Sequence, residues 1–267
     1  MKNVLVLMHD DAGQEARFQA ALDLTRALDW HLTCVDVSIA PAFVGDYAMT
    51  GGEALLMADE QQREKVNKAH MEARLKGEDI SYDWVDASGL LCPTMRDNVG
   101  LADLVVFNRK LDSIDYPDMR QLVGEMVLKS GKPIIAVPED ARRFDAFGHA
   151  LVAWDGSLEA VAALQAATPL LTKARAVTIL EVDDGSIKTP AEDAAEYLSR
   201  HGVKPVVRRE RHSPDWPGTV ILDTVRDLHA AYLVMGGFGH SRFVEAAFGG
   251  VTRRMLQECT VPIFLAH

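Results

Sequence analysis

Cysteine is scarce in this sequence, and the three cysteines, Cys34, Cys92 and Cys259, lie far apart. An odd number of widely spaced cysteines without a CxxC pair argues against a disulfide framework and against a cysteine-based zinc site. No apolar run reaches the roughly 18 residues that a membrane-spanning helix needs. The chain opens directly on a strand-like segment, Val4–Met8, without the arrangement of a signal peptide, so we expect a cytoplasmic protein.

Basic residues are also in deficit, because 28 Lys and Arg stand against 39 Asp and Glu and give a formal net charge of −11. This balance argues against a broad surface for nucleic acid or for an anionic membrane. Nine histidines are present, but no two have a ligand-like spacing such as HxxxH, and no metal site is predicted. The run His9-Asp10-Asp11 could bind a cation, yet the end of a strand and the start of a turn explain it more simply.

The chain does contain an internal repeat. Val4–Met8 is followed by an amphipathic stretch, and Ala150–Trp154 is followed by a similar one, as is typical of a buried strand that leads into a helix. The next strand-like segments, His31–Val37 and Ala176–Val182, also match. Such strand–helix alternation implies a parallel sheet covered by helices on both faces.

The later part of the repeat is in register without a gap, since Leu104 and Pro133 are 29 positions apart and so are Leu233 and Pro262. We therefore predict two tandem α/β domains, each an open, five-stranded parallel sheet with helices on both faces. The predicted domains are residues 1–143 and 144–267.

A long insertion, from Pro41 to about Gly77, follows the second strand of the first half. Its spacing predicts a helix that ends at Leu75, with Val66, Ala69 and Ala73 on one face. Two interpretations remain open for this insertion: a solvated connector, and a lid or partner surface.

A glycine-rich loop distinguishes the second half. The strand Leu233–Met235 runs directly into Gly236-Gly237-Phe238-Gly239, and a second pair, Gly249-Gly250, follows nine residues later where a helix begins. Glycines let the backbone approach a ligand closely, and a helix N-terminus offers free N–H groups to an anion such as phosphate. The pattern is neither a Walker loop nor GxGxxG. Tight turns between strand and helix are the alternative explanation.

A second candidate, Asp155, lies where the first strand of this half ends. Ligands of open parallel sheets bind outside the carboxyl ends of the strands, where a carboxylate can accept hydrogen bonds from a ribose or a base. A helix N-cap is the alternative role, because Asp and Ser are both favoured there. Both roles can coexist if Ser157 caps the helix and Asp155 faces the ligand.

Val152–Ser157, together with Gly236-x2-Gly239-x9-Gly249, resembles the universal stress protein family. Nucleotide-binding members of that family hold ATP with an Asp after the first strand and a G-x2-G-x9-G-(S/T) loop. Over its length the chain resembles a tandem member, which implies Rossmann-like domains of the adenine nucleotide α-hydrolase type. The implied nucleotide contacts are Asp155 and Val182 for adenosine, Gly236 and Gly239 for ribose and phosphates, and Gly249 and Gly250 for phosphate.

The chain departs from the family at Gly250, where the family has Ser or Thr, and a phosphate contact through a hydroxyl is lost. Thr252, two positions later, is a possible substitute. The first half departs further, because bulky residues replace every glycine of the loop. In the gapless register, Gly236 falls on Phe107, Gly239 on Lys110, Gly249 on Arg120 and Gly250 on Gln121, while His9 stands at the position of Asp155.

The sequence therefore predicts a tandem universal stress protein with a degenerate first half, retained for packing, dimerisation or another ligand. The second half is expected to bind ATP or a related adenine nucleotide, with or without magnesium, in a regulatory or protective role. A scaffold that binds no nucleotide and a slow ATP hydrolase are the alternatives, and no catalytic residue is assigned. Pairing of the two units within one chain and pairing of two chains both remain open.

Overall fold

The computed structural model describes residues 2–39, 52–111, 118–183, 187–211, 216–239 and 250–267. Strands and helices alternate along the first half, as the repeat predicts. Its elements are β1 (Asn3–Leu7), α1 (Gln14–Leu28), β2 (His31–Ile39), α2 (Gly52–Leu75), β3 (Tyr82–Gly89), α3 (Leu91–Asn98), β4 (Leu104–Asn108), α4 (Met119–Ser130) and β5 (Ile134–Val137).

The second half repeats this order of elements. It consists of β6 (His149–Trp154), α5 (Leu158–Leu171), β7 (Ala176–Asp183), α6 (Ala191–Arg200), β8 (Val206–Arg211), α7 (Pro217–Asp227), β9 (Tyr232–Gly236), α8 (Gly250–Glu258) and β10 (Ile263–Ala266). The predicted boundary between residues 143 and 144 falls in the connection from β5 to β6.

All ten strands form one sheet, in the order β3-β2-β1-β4-β5-β10-β9-β6-β7-β8. Neighbouring strands within each half are parallel, whereas β5 and β10 pair antiparallel. The two halves therefore join within one chain as a pseudo-dimer. Because the joining strands are antiparallel, the carboxyl ends of the strands of the two halves lie at opposite edges of the sheet. A homodimer of whole chains stays a prediction.

Helices cover both faces of the sheet, which confirms the predicted fold class. One buried apolar layer combines the strands with α1, α2, α5 and α6, and the other combines them with α3, α4, α7 and α8. The central strands are buried almost throughout, and each fully buried large apolar side chain contributes about 1.5–3 kcal/mol to folding. In the part of the chain that the structure describes, no helix is long and apolar enough to cross a membrane.

Strand pairing corrects the gapless register of the repeat by one residue. β4 and β9 each have five residues, and each pairs with the first strand of its own half in the same way. The last residues of these strands therefore correspond, so that Gly236 matches Asn108 and not Phe107. A bulky residue still replaces the glycine, and the interpretation of the first half does not change.

The insertion helix α2 ends at Leu75 as predicted, but the predicted apolar face is wrong. Val66 is 61% exposed, and Ala69 and Ala73 are exposed too. The side that faces the sheet is half polar, because part of it covers the ends of β1 and β2, where backbone and side-chain polar groups need partners. The buried residues of this side are Glu64, Asn67, Met71 and Leu75.

Candidate functional site

The second half has a cavity of about 170 Å³ at the carboxyl ends of its strands. The strand order of this half is β8-β7-β6-β9-β10. From β6 the chain continues to β7 on one side, and from β9 it continues to β10 on the other side. This reversal of the strand order leaves a crevice between β6 and β9. Open α/β sheets bind their ligands at this switch point. Five of the six predicted site residues line the cavity: Asp155, Val182, Gly236, Gly239 and Gly250. The sixth, Gly249, lies outside the described residues.

The walls of the cavity are mainly apolar, and sequence reasoning had not singled these residues out. They come from β6, β7, β9 and the two helices α7 and α8, so that only the tertiary structure collects them. A slot of this kind fits a flat heteroaromatic group, whose faces are apolar and whose edge is polar. The apolar wall is formed by Ala153, Leu180, Pro217, Ile221, Met235 and Val251.

Asp155 lies half-buried at the rim, directly after β6. Its Oδ1 accepts a hydrogen bond of 2.9 Å from the backbone N–H of Ser157, so the carboxylate helps to shape the turn into α5. The Ser157 hydroxyl in turn accepts the N–H of Ala160 at 3.1 Å and caps this helix, as predicted. Gly156 between them has φ +70 and packs against the backbone of Thr189, where a Cβ would collide.

Close packing against α5 explains why position 236 is a glycine. A Cβ there would lie 2.6 Å from the backbone nitrogen of Ala160 and 2.7 Å from the carbonyl carbon of Glu159, so glycine lets the end of β9 pack against the start of α5. At Gly239 a Cβ would instead lie 2.6 Å from Oε2 of Glu159. The Glu159 carboxylate is therefore beside the loop, at a position that the loop pattern alone did not reveal.

Gly250 is the first residue of α8, and an aromatic ring covers it. A Cβ on Gly250 would lie 2.7 Å from Cη2 and 2.8 Å from Cζ2 of Trp216. The guanidinium of Arg254 lies 5.8 Å from the centre of the same indole and donates a hydrogen bond of 2.7 Å to the Thr219 hydroxyl. The indole therefore occupies the space that a Ser or Thr side chain at this position would need.

Thr252 ties the glycine loop to α8. Its hydroxyl oxygen is buried and accepts a hydrogen bond of 3.3 Å from the backbone N–H of Phe238. Phe238 has φ +64, a conformation that side chains other than Gly, Asn and Asp rarely adopt. The hydroxyl thus holds the loop in shape, which is a different role from the phosphate contact considered for it.

The charges around the cavity are of two kinds. The described lining carries two carboxylates, Asp155 and Glu159, and includes no Lys or Arg. Positive potential comes from the N-termini of α5 and α8, whose first residues border the cavity. An anionic ligand would therefore meet helix N–H groups.

The matching crevice of the first half is filled by a side chain. Arg17, fully buried, donates to the carbonyl oxygens of Leu7 at 2.9 Å and His9 at 2.8 Å. It also bonds the Asp11 carboxylate at 2.8 Å and the side chain of Asn108, the residue that matches Gly236. The Arg17 guanidinium thus bonds the end of β1 and the residue that matches Gly236, an arrangement that the second half does not have, which supports the interpretation of a degenerate site.

Comparison with known families gives one match, because the family model of the universal stress protein family covers residues 146–267. This match assigns residues 146–267, the C-terminal half, to the universal stress protein family. Comparison with curated protein sequences gives no significant match.

Solved universal stress proteins have the same tandem fold over the whole length of the chain. One from Archaeoglobus fulgidus DSM 4304 superposes with a TM-score of 0.76 at 16% identity and covers 98% of this chain and 97% of its own. A putative universal stress protein from Pseudomonas aeruginosa UCBPP-PA14 gives a TM-score of 0.62 at 16% identity, with 100% and 93% covered. Identities this low establish the fold of the first half and nothing about its ligands.

Proposed function

We propose that the universal stress protein domain of residues 144–267 binds an adenine nucleotide, ATP or a close relative, between β6 and β9. The observation that carries this proposal is the convergence of Asp155, Val182, Gly236, Gly239 and Gly250 on one cavity. These residues belong to four separate segments, and nothing in their sequence positions requires them to meet.

The lining of the cavity supports one orientation of the nucleotide. The adenine would lie between the apolar side chains of Leu180, Ile221 and Met235, with its edge toward the backbone of Val182. The Asp155 carboxylate would accept hydrogen bonds from the adenosine moiety. The phosphates would then extend along Gly236 and Gly239 to the first N–H groups of α8, where the helix dipole favours negative charge.

A magnesium ion would fit this arrangement. The Glu159 carboxylate beside Gly239 is an oxygen donor of the kind that magnesium prefers, and the described lining offers no basic side chain to balance a triphosphate. When bound, magnesium would supply that missing positive charge.

The proposed role is regulatory or protective, in a cytoplasmic stress response, and rests on binding and not on turnover. Asp155 and Glu159 are the titratable groups of the described lining. Asp155 already shapes the turn into α5, and Glu159 lies where it would meet a cation or repel a phosphate. We assign neither of them the role of a general base for a water molecule, so at most slow hydrolysis is expected.

Equilibrium binding of ATP tests the assignment, with Gly239→Val as the disrupting variant. The added side chain would project toward Glu159 and narrow the loop, so binding should weaken at least tenfold. Gly100→Val is the matched control, because a Cβ at Gly100 meets nothing within 4 Å, and it should bind like the wild type. Equal affinity in all three proteins, or no affinity in any, would show that the assignment is wrong.

A scaffold that binds no nucleotide is the second candidate, and Trp216 over Gly250 is the observation that favours it. In that case the glycine loop would be a remnant, and the joined sheet would serve contacts with other proteins. A purified protein that carries no nucleotide in native mass spectrometry, and whose melting temperature does not rise with ATP, would decide for the scaffold.

A further inference from the structure

A compact group of polar side chains lies at the other edge of the sheet, where β1 and β2 end beneath α2. Nδ1 of the buried His9 is 2.6 Å from Oε1 of Glu64 and 3.7 Å from Oε1 of Glu60. One donor atom from each of these three side chains lies within 4.8 Å of the other two. The two glutamates are one turn apart on α2, so both point to the same side of that helix.

A third carboxylate, Asp36 of β2, lies beside this group. It is 3% exposed and contacts Glu64, while its Oδ1 has no hydrogen-bond partner in the described part of the chain. Buried polar atoms nearly always have a partner, and a buried carboxylate oxygen without one is costly. A cation bound within the group would give this oxygen a partner.

The second half shows how the same position is satisfied without a ligand. There Glu181, which matches Asp36 in the repeat, accepts 2.8 Å hydrogen bonds from Arg209 Nε and from the backbone N–H of Ala191. Arg209 lies opposite Glu181 on the neighbouring strand, whereas Asp86 lies opposite Asp36. An acidic residue thus lies where the compensating arginine would be, and its own partner is the ammonium group of Lys68 on α2.

Other side chains hold the group in position. Glu64 accepts hydrogen bonds from Asn67 Nδ2 at 3.1 Å and from the backbone N–H of Asp10 at 3.2 Å. Asn67 is itself fixed by Gln14 at 2.8 Å. On the solvent side, Arg63 contacts Glu60 at 2.7 Å and Glu64 at 3.7 Å. Such second contacts orient ligands in metal sites, and they explain why the inner side of α2 is polar.

We propose that a divalent transition-metal ion of the zinc or manganese type binds between His9, Glu60 and Glu64, with the Asp36 carboxyl beside them. One imidazole nitrogen with several carboxylate oxygens suits these ions better than calcium or magnesium, which take oxygen ligands. Ligands about 2 Å from a tetrahedral ion are roughly 3.3 Å from one another, and the Nδ1 atom of His9 lies 2.6 Å from Glu64 and 3.7 Å from Glu60. On binding, the ion would take the place of the direct contact between His9 and Glu64.

This proposal does not depend on the proposed nucleotide site, because the two sites lie at opposite edges of the sheet. A bound ion would connect the insertion helix α2 to the ends of β1 and β2. Metal occupancy would then determine how firmly α2 is held on the first half, which gives the long insertion a role that the shorter insertion of the second half lacks.

The test uses the full-length protein, stripped with a chelator and titrated with Zn²⁺ and Mn²⁺ in a calorimeter. One ion per chain is expected, with no comparable affinity for Ca²⁺. Glu60→Gln and Glu64→Gln should each weaken binding at least roughly tenfold. Asp59→Asn is the matched control, because it removes the same charge from the exposed side of the same helix, and it should bind like the wild type.

The Glu60→Gln variant keeps the test valid if Glu64→Gln fails to fold, because the Glu60 side chain is 15% exposed and tolerates substitution better. Cobalt(II) as a probe should give visible absorption bands in the wild type that change in Glu60→Gln and persist in Asp59→Asn. The proposal would be overturned if folded Glu60→Gln and Glu64→Gln bound the ions as tightly as the wild type does. It would also be overturned if neither ion bound to the wild type.

Discussion

The contact between Gly250 and Trp216 leads to a prediction that separates stability from ligand binding. Restoring the family's residue with Gly250→Ser should not by itself restore a phosphate contact, because the new Cβ would lie 2.7 Å from the indole. Removing the ring first, in Trp216→Ala, should make room for the serine. The double variant is therefore expected to behave differently from the sum of the two single variants.

The expected magnitudes follow from the burial of the ring. Trp216 is 52% exposed, so truncation removes about 100 Å² of buried apolar surface and costs about 2 kcal/mol of unfolding free energy. Crowding by Gly250→Ser should cost about 1 kcal/mol, a penalty that disappears when the ring is absent. A hydroxyl that reaches a phosphate should then strengthen ATP binding about tenfold, or about 1.4 kcal/mol.

Urea unfolding and ATP calorimetry on the four proteins of the cycle measure both effects. The double variant should be about 1 kcal/mol more stable than additivity predicts, and it should bind ATP about tenfold more tightly than Trp216→Ala. Gly100→Ser, at a position with open space, controls for a glycine-to-serine change as such. The reasoning is refuted if Gly250→Ser alone binds ATP tenfold more tightly at unchanged stability, because the indole would then not obstruct position 250.

Three further predictions concern single side chains. Without magnesium, Glu159→Gln should tighten ATP binding about fivefold by removing a like charge near the phosphates, and titration with adenosine, which carries no phosphate, should show no change. Arg17→Met should lower the unfolding free energy by about 3–5 kcal/mol in urea titrations, since it leaves buried Asp11 without its cation; a loss under 1 kcal/mol would contradict this. Burial raises the pKa of the Cys34 thiol, so native protein should expose at most Cys92 to Ellman's reagent.

Much of the fold is encoded in local patterns. Apolar runs of strand length, each followed by helical spacing, predicted two like units with doubly covered parallel sheets, because burial on both faces needs continuous apolar strands. The glycine loop and Asp155 were found in the same way, since close backbone approach requires glycine at particular positions. The α2 helix was predicted correctly, but its apolar residues were assigned to the wrong side because the sheet edge beneath it is polar.

The tertiary structure decided which side chains meet. The two halves join within one chain because β5 pairs with β10. This pairing occurs between the edge strands of the two halves, and the sequence pattern of neither half predicts it. The indole over Gly250 and the guanidinium of Arg17 in the first crevice are likewise contacts between residues distant in sequence.

The acidic group around His9 is another feature that the tertiary structure decided and the sequence did not predict. The residues next to His9 predicted only the end of a strand and a turn. Its partners Glu60 and Glu64 are on α2, which is separated from His9 in the sequence by α1 and β2. A glutamate pair one turn apart on that helix was the available signal, yet such pairs are common on solvated helices. Periodicity and glycine spacing are local properties, so the sequence alone determined the elements and their order within each half. Which charges are buried together depends on how helices pack on the sheet, and only the folded chain decided that.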